Sequence, residues 1–139
     1  MTATVVTTAD REGWWWACPV HSVTSVSISA AHPLVAISIP AEAESRHVLM
    51  TADELAVHVL RPGQEALAEH FTLHPTDFDT AQSTHGIRVE CGLGAAPLLS
   101  DVASRLECRR VNVMTVDTRI VLLAEVVGGD TARRVQRAS

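Results

Sequence analysis

The sequence predicts a mainly β fold, a small antiparallel β-barrel with two short helices as lids. Three observations predict it. Six or seven segments are β-branched or alternate apolar with polar residues. Successive segments lie close enough along the chain to pair antiparallel. Only two stretches have a helical composition. The length, 139 residues, suits one domain, 1–139, with 128–139 expected as a flexible tail. A chain of this size buries roughly two-thirds of the surface its unfolded form exposes, enough for a core.

Each element follows from local chemistry. "TATVVTTA" (2–9) is β-branched and alternating, a strand. "ADREG" (9–13) is a turn, because Asp10 can bond the local backbone and Gly13 tolerates positive φ. "WWWACPV" (14–20) is a second strand, which Pro19 confines to a sheet edge or to the strand's end. "SVTSVSI" (22–28) sets Val23 and Ile28 among small polar residues, and "PLVAISI" (33–39) is apolar enough to be buried. "PAEAESRHVLMTADE" (40–54) reads as a short helix with its acids near the positive N-terminal end. "LAVHVL" (55–60) is a strand and "RPGQEALAEHF" (61–71) a second helix. Residues 72–101 are expected to be loop, apart from a strand at 86–91. "VASRLECRRVNVM" (102–114) and "RIVLLAEVVGG" (119–129) are long strands joined at "TVDT" as a hairpin.

Composition narrows the function. The net charge is −5 with no basic stripe, which argues against nucleic acid as a partner. Cys18, Cys91 and Cys108 are odd in number and lack CxxC spacing. They fit a reducing compartment better than a disulfide framework or a thiolate zinc site. The N-terminus lacks the pattern of a signal peptide, and no apolar run approaches the ~18 residues of a membrane span. A cytoplasmic protein with no membrane partner is expected.

"GWWWACPVHSVTSVSIS" (13–29) draws most attention. Strand alternation puts Trp14 and Trp16 on one face and Trp15 on the other. The three indoles are either core or dimer-interface packing, or a ring platform in a ligand cavity, with Trp16 the nearest to such a cavity. Ser22, Thr24, Ser25 and Ser27 are either ligand contacts or an ordinary polar strand face. His21 is either an acid–base group or a surface histidine. His58, between apolar positions, suits a solvated or hydrogen-bonded structural role. His70 and His74 are four apart, but no HExxH pattern is present and Pro75 ends the helix, so no metal is expected. Cys18 reads as a small buried hydrophobe.

The order of these pieces resembles the flavin reductase-like family. The resemblance rests on "VVTT", "SVTSVS", "PLVAISI", "AVHVL", the "DF" loop, "APLL", "LECRRV" and "AEVV", and covers roughly residues 2–128. It implies an FMN-binding split barrel, shortened at both ends, working as a homodimer. It further implies FMN, or FAD, reduced by NAD(P)H, and a partner oxygenase that takes the reduced flavin. By the same resemblance, flavin contacts fall on Pro19, Ser22, Val23, Thr24 and Ser25, and phosphate contacts on Ser45 and Arg46. Substrate contacts fall on Trp16, Phe78 and Arg119, and His21 is the catalytic position. The chain departs from the family pattern at several of these places. Pro19 replaces a Thr, His21 a Ser, His58 an Asn, and Glu42 stands at the phosphate-loop Ser. A carboxylate 4–6 Å from a phosphate repels it by up to a few kcal/mol at intermediate dielectric.

Two other function classes stay open. One is a cofactor-free cyclase or isomerase, with flavin absent and a Trp-lined cavity folding an apolar metabolite. It gains if Glu42 lies in the pocket. The other is a binding module in which the indoles form a protein interface. The flavin reading requires segments 13–29 and 40–46 of paired subunits to wall a common hollow for a small-molecule ligand, sized for a planar ring system with a polar tail.

Overall fold

A computed structural model describes residues 3–27, 31 and 33–129, the side chain of Ser27 excepted. The strands are β1 (Thr4–Ala9), β2 (Trp15–Val20), β3 (Ser22–Ser27), β4 (Leu34–Ile39), β5 (Glu54–Val59), β6 (Val89–Glu90), β7 (Leu98–Leu99), β8 (Ser104–Val116) and β9 (Arg119–Gly129). Among the described residues three short helices accompany them: α1 (Arg46–Thr51), α2 (Glu65–Leu73) and α3 (Phe78–His85). Seven strands form one antiparallel sheet in the order β2-β1-β5-β8-β9-β4-β3, and β6 pairs with β7 separately.

This strand order forces a barrel. β2 and β3 are the outermost strands, yet only His21 separates them in sequence. Val20 and Ser22 therefore lie at most about 7.6 Å apart. A flat sheet would hold the two edges roughly 29 Å apart at ordinary strand spacing. The sheet must curl until its edges meet, leaving a seam between β2 and β3 that no ladder closes. The apolar cluster inside agrees, because Cys18 of β2 and Ile37 of β4 share it with Val6, Leu55, Cys108 and Leu122.

A second core lies on the outer face. Val5 and Ala17 point there and pack with Leu67 and Phe71 of α2, Phe78 of α3 and Leu99 of β7. Adjacent residues such as Val5 and Val6 thus serve different cores, because strand side chains alternate. β1 and β5 are buried on both faces, which explains their nearly continuous burial. Full burial of each Val, Leu or Phe contributes about 1.5–3 kcal/mol. Thr7, Thr8 and His58, each 0% exposed, are the polar exceptions, and Thr7 donates from Oγ1 to the Pro97 carbonyl at 2.6 Å. Thr7→Val keeps the shape but strands that carbonyl. A loss of about 1–3 kcal/mol is expected in urea unfolding.

The turns behave as their residues dictate. Asp10 Oδ1 accepts from the Glu12 and Trp14 N–H groups, and Gly13 has φ +88°. Asp117 turns the β8–β9 hairpin with φ 55°. Several expectations need correction, and the helix expected over 61–71 runs instead over Glu65–Leu73. The helix expected over 40–54 spans only Arg46–Thr51, because 40–45 forms successive turns, with Ala43 N–H on the Pro40 carbonyl and Arg46 N–H on that of Ala43. The expected loop 72–101 contains α3, capped by Asp77, which accepts from the Thr80 N–H, and ended by Gly86 in the left-handed region. The strand expected at 86–91 shrinks to Val89–Glu90. Residues 128–129 end β9; 130–139, the rest of the expected tail, and Ile28, the expected end of β3, lie outside the described residues. Among the described residues, no helix is long and apolar enough to cross a membrane.

Candidate functional site

A groove runs along the barrel seam. It consists of two adjoining cavities of about 370 and 300 Å³ that share His21, Pro40 and Glu42. Residues 17–21 form one wall and 40–45 the opposite one. Phe71 and Thr72 of α2, with Pro75, close one end, and Thr118 and Arg119 of the β8–β9 hairpin close the other. Segments 17–22 and 38–45 therefore wall one hollow within a single chain. Its size falls in the range of small-molecule sites.

The sequence builds the seam deliberately. The Ala17 N–H points away from β1 and donates to the Pro75 carbonyl at 2.8 Å. Edge-strand N–H groups alternate in direction, so Pro19, two residues on, occupies the next outward position. There a missing N–H costs nothing, and the wall presents a flat ring instead of an unpaired donor. His21 is the one-residue link across the seam and is exposed to both cavities.

The other expected contacts separate. Ser22 lines the smaller cavity. Val23 turns inward and packs on the barrel core, while Thr24 and Ser25 are exposed along β3 beside the groove. Ser45 lines the larger cavity but is only 2% exposed, and its hydroxyl is hydrogen-bonded to the Cys18 thiol. Burial pushes that thiol up, the Ser45 bond opposes the rise, and Cys18 also donates to the Pro19 carbonyl at 3.4 Å. Arg46 is exposed and spends Nη1 on the Ala41 carbonyl at 2.8 Å, tying the loop rather than lining the groove. Arg119 stands at the far end of the smaller cavity.

Trp16 and Phe78 lie elsewhere. Trp16 lines a separate cleft of about 610 Å³, where its indole N–H donates to Asp10 Oδ2 at 2.9 Å and its ring meets His47 edge-on. The Trp16 bond, then the backbone bonds from Trp14 and Glu12, hold the Asp10 carboxyl below its usual range. In this larger cleft Arg110 is partnered with Asp53 and the Ala52 carbonyl, and Glu54 with the Ala95 N–H, and the cleft takes no lining from residues 17–22 or 38–45. Hence the seam groove is the better candidate despite its smaller volume. Phe78 is 4% exposed in the outer core, ringed by Phe71 and Trp15. Trp15, against Phe78, and Trp16, against Asp10 and His47, do point to different sides, while Trp14, before β2 begins, is 70% exposed. Sequence reasoning missed Phe71, Thr72 and Pro75, which come from a distant segment. The Phe-Thr-Leu-His-Pro helix ending was the only local mark there.

His58 holds the groove's scaffold together. It is fully buried, with Nδ1 3.2 Å from the Val5 carbonyl and Nε2 accepting from the Leu99 N–H at 3.0 Å. The second bond makes Nε2 the bare nitrogen, so Nδ1 carries the proton and donates to Val5. His70 likewise bonds the Asp77 carbonyl through Nε2 at 2.8 Å, joining α2 to the start of α3.

Comparison with known proteins places this geometry among relatives. The flavin reductase like domain family matches residues 1–138. An NADH-dependent FAD reductase of Streptomyces globisporus is 34% identical over 112 residues, 77% of this chain and 58% of that protein. A flavin reductase (NADH) of Kitasatospora aureofaciens is 31% identical over 91% of this chain and 63% of its own. The chain thus spans about three-fifths of these curated relatives. The solved NADH:FAD oxidoreductase of Streptomyces globisporus superposes with a TM-score of 0.77 at 29% identity, covering 94% of this chain and 75% of that one. A protein with a split barrel domain from Shewanella frigidimarina shares the fold, with a TM-score of 0.74 at 19% identity over 92% of this chain and 65% of that one.

Proposed function

The chain belongs to the flavin reductase-like domain family, and on that premise we propose that it is a flavin-binding oxidoreductase using a nicotinamide, NADH or NADPH, as reductant. The observation that carries the reading is the seam groove, where the two segments required by the sequence meet. A flavin, FMN or FAD, supplies the hydride-accepting chemistry when bound. The ring and ribityl chain fit the groove: Pro19, Pro40 and Phe71 offer flat or apolar surface, and Ser22 and the open edge of β3 offer hydrogen-bonding groups. Thr24 and Ser25 extend that polar strip.

His21, on the link between the two cavities, is the group assigned to hold or move a proton beside the bound ligand. Arg119 is assigned to an anionic part of the nicotinamide substrate at the groove's far end. Trp16 and Phe78 take no part in this assignment. The working form is a homodimer. β8 continues past Arg109, where its pairing with β5 ends, and exposes Val111, Met114 and Val116 on an open edge that a second copy can cover. A partner oxygenase receiving the reduced flavin, and a cytoplasmic location in keeping with the free cysteines, complete the proposal.

The test is a titration of the purified chain with FMN and FAD, followed by NADH and NADPH oxidation. Flavin binding in the micromolar range and flavin-dependent nicotinamide oxidation are expected. No affinity for either flavin would overturn the reading. One observation favours a second reading, a cofactor-free enzyme on the same barrel: Glu42 lines both cavities. Turnover that survives exhaustive flavin removal would select it.

A further inference from the structure

The 40–45 loop is poorly made for a phosphate. Resting on the flavin reading of the groove, we infer that Glu42, with Glu44, is a specificity determinant directing the site toward flavins without a dianionic phosphate. Riboflavin, or FAD with one charge on each phosphorus, is favoured over FMN.

Glu42 lines both cavities and Glu44 the larger one, and both side chains are exposed. The groups that would answer a phosphate here are committed elsewhere. The Ser45 hydroxyl faces the buried Cys18 thiol, and Arg46 is turned onto the Ala41 carbonyl. α1 is a six-residue helix in which Ser45 makes no side-chain cap bond. The cation that lines the groove among the described residues, Arg119, stands at the opposite end.

The monoester phosphate of FMN carries about −1.5 to −2 charges at pH 7, whereas riboflavin ends in a neutral hydroxyl that can donate to a carboxylate. Each carboxylate at partly screened range weakens FMN relative to riboflavin by roughly three- to tenfold. The effect shrinks with added salt. It also grows as pH rises through about 6, where the monoester loses its second proton.

The experiment compares dissociation constants for riboflavin, FMN and FAD by flavin fluorescence, using the full chain and its Glu42→Gln/Glu44→Gln variant. Glu69→Gln, on the exposed face of α2, controls for net charge. The wild type is expected to bind riboflavin at least as tightly as FMN. The double variant should tighten FMN by roughly tenfold or more while riboflavin changes less than about twofold. Wild-type FMN binding tenfold tighter than riboflavin, or an equal gain in the Glu69 control, overturns the inference. Binding of none of the three flavins overturns the reading of the groove itself, and this inference with it.

Discussion

Replacing His58 with alanine should destabilise the protein by about 3–5 kcal/mol. The change strands a buried carbonyl at Val5 and a buried N–H at Leu99, at about 1–3 kcal/mol each, and leaves a cavity. A fall in the urea midpoint with little change in slope is the expected signature. His58→Gln, which offers both a donor and an acceptor, should lose less. The same residue sets an acid limit. Burial, with the nearby Arg105 charge adding to it and the Val5 bond opposing it, pushes His58 down to about 4. Arg105 is itself paired with Glu90 at 2.8 Å. The unfolded chain binds a proton near pH 6.5, and the folded one only near 4. Stability is therefore complete above about 6.5 and falls between 6.5 and 4, by up to about 3 kcal/mol. Protonation also turns Nε2 into a donor facing the Leu99 N–H, so the β6–β7 strap should loosen first. Equal pH dependence in wild type and His58→Ala over this window would exclude His58 as its source.

Filling the groove should abolish ligand binding without unfolding the barrel. Thr72 is exposed on α2, bonds only the Ala68 carbonyl through its hydroxyl, and lines the larger cavity. Thr72→Trp puts an indole into that space. Flavin affinity should fall by at least about 100-fold, equivalent to about 2.8 kcal/mol. Stability should stay within about 0.5 kcal/mol, as for surface changes generally. Thr51→Trp, at an exposed position of the Trp16 cleft, is the matched control and should leave flavin binding intact. Loss of binding in Thr51→Trp with retention in Thr72→Trp would move the site to the other cleft.

The sequence by itself determined the seven sheet strands, the turn at Asp10–Gly13 and the β8–β9 hairpin. These depend on alternation, β-branching and left-handed turn residues, all local properties. Pro19 marked β2 as an edge strand for the same reason: a missing N–H is tolerable only there. The third helix was written locally too, in Asp77 and Gly86, but its buried apolar set is only Phe78 and Ala81, too few to stand out from a loop. Tertiary structure alone decided that the two sheet edges meet at His21, because barrel closure joins strands far apart in pairing order. It also decided that Trp16 serves Asp10 and His47 instead of the groove, and that Phe71, Thr72 and Pro75 complete the groove. No short-range pattern records a contact between residues fifty positions apart. Once the outer strands lie at opposite ends of one sheet, chain connectivity brings them together and places the groove between them.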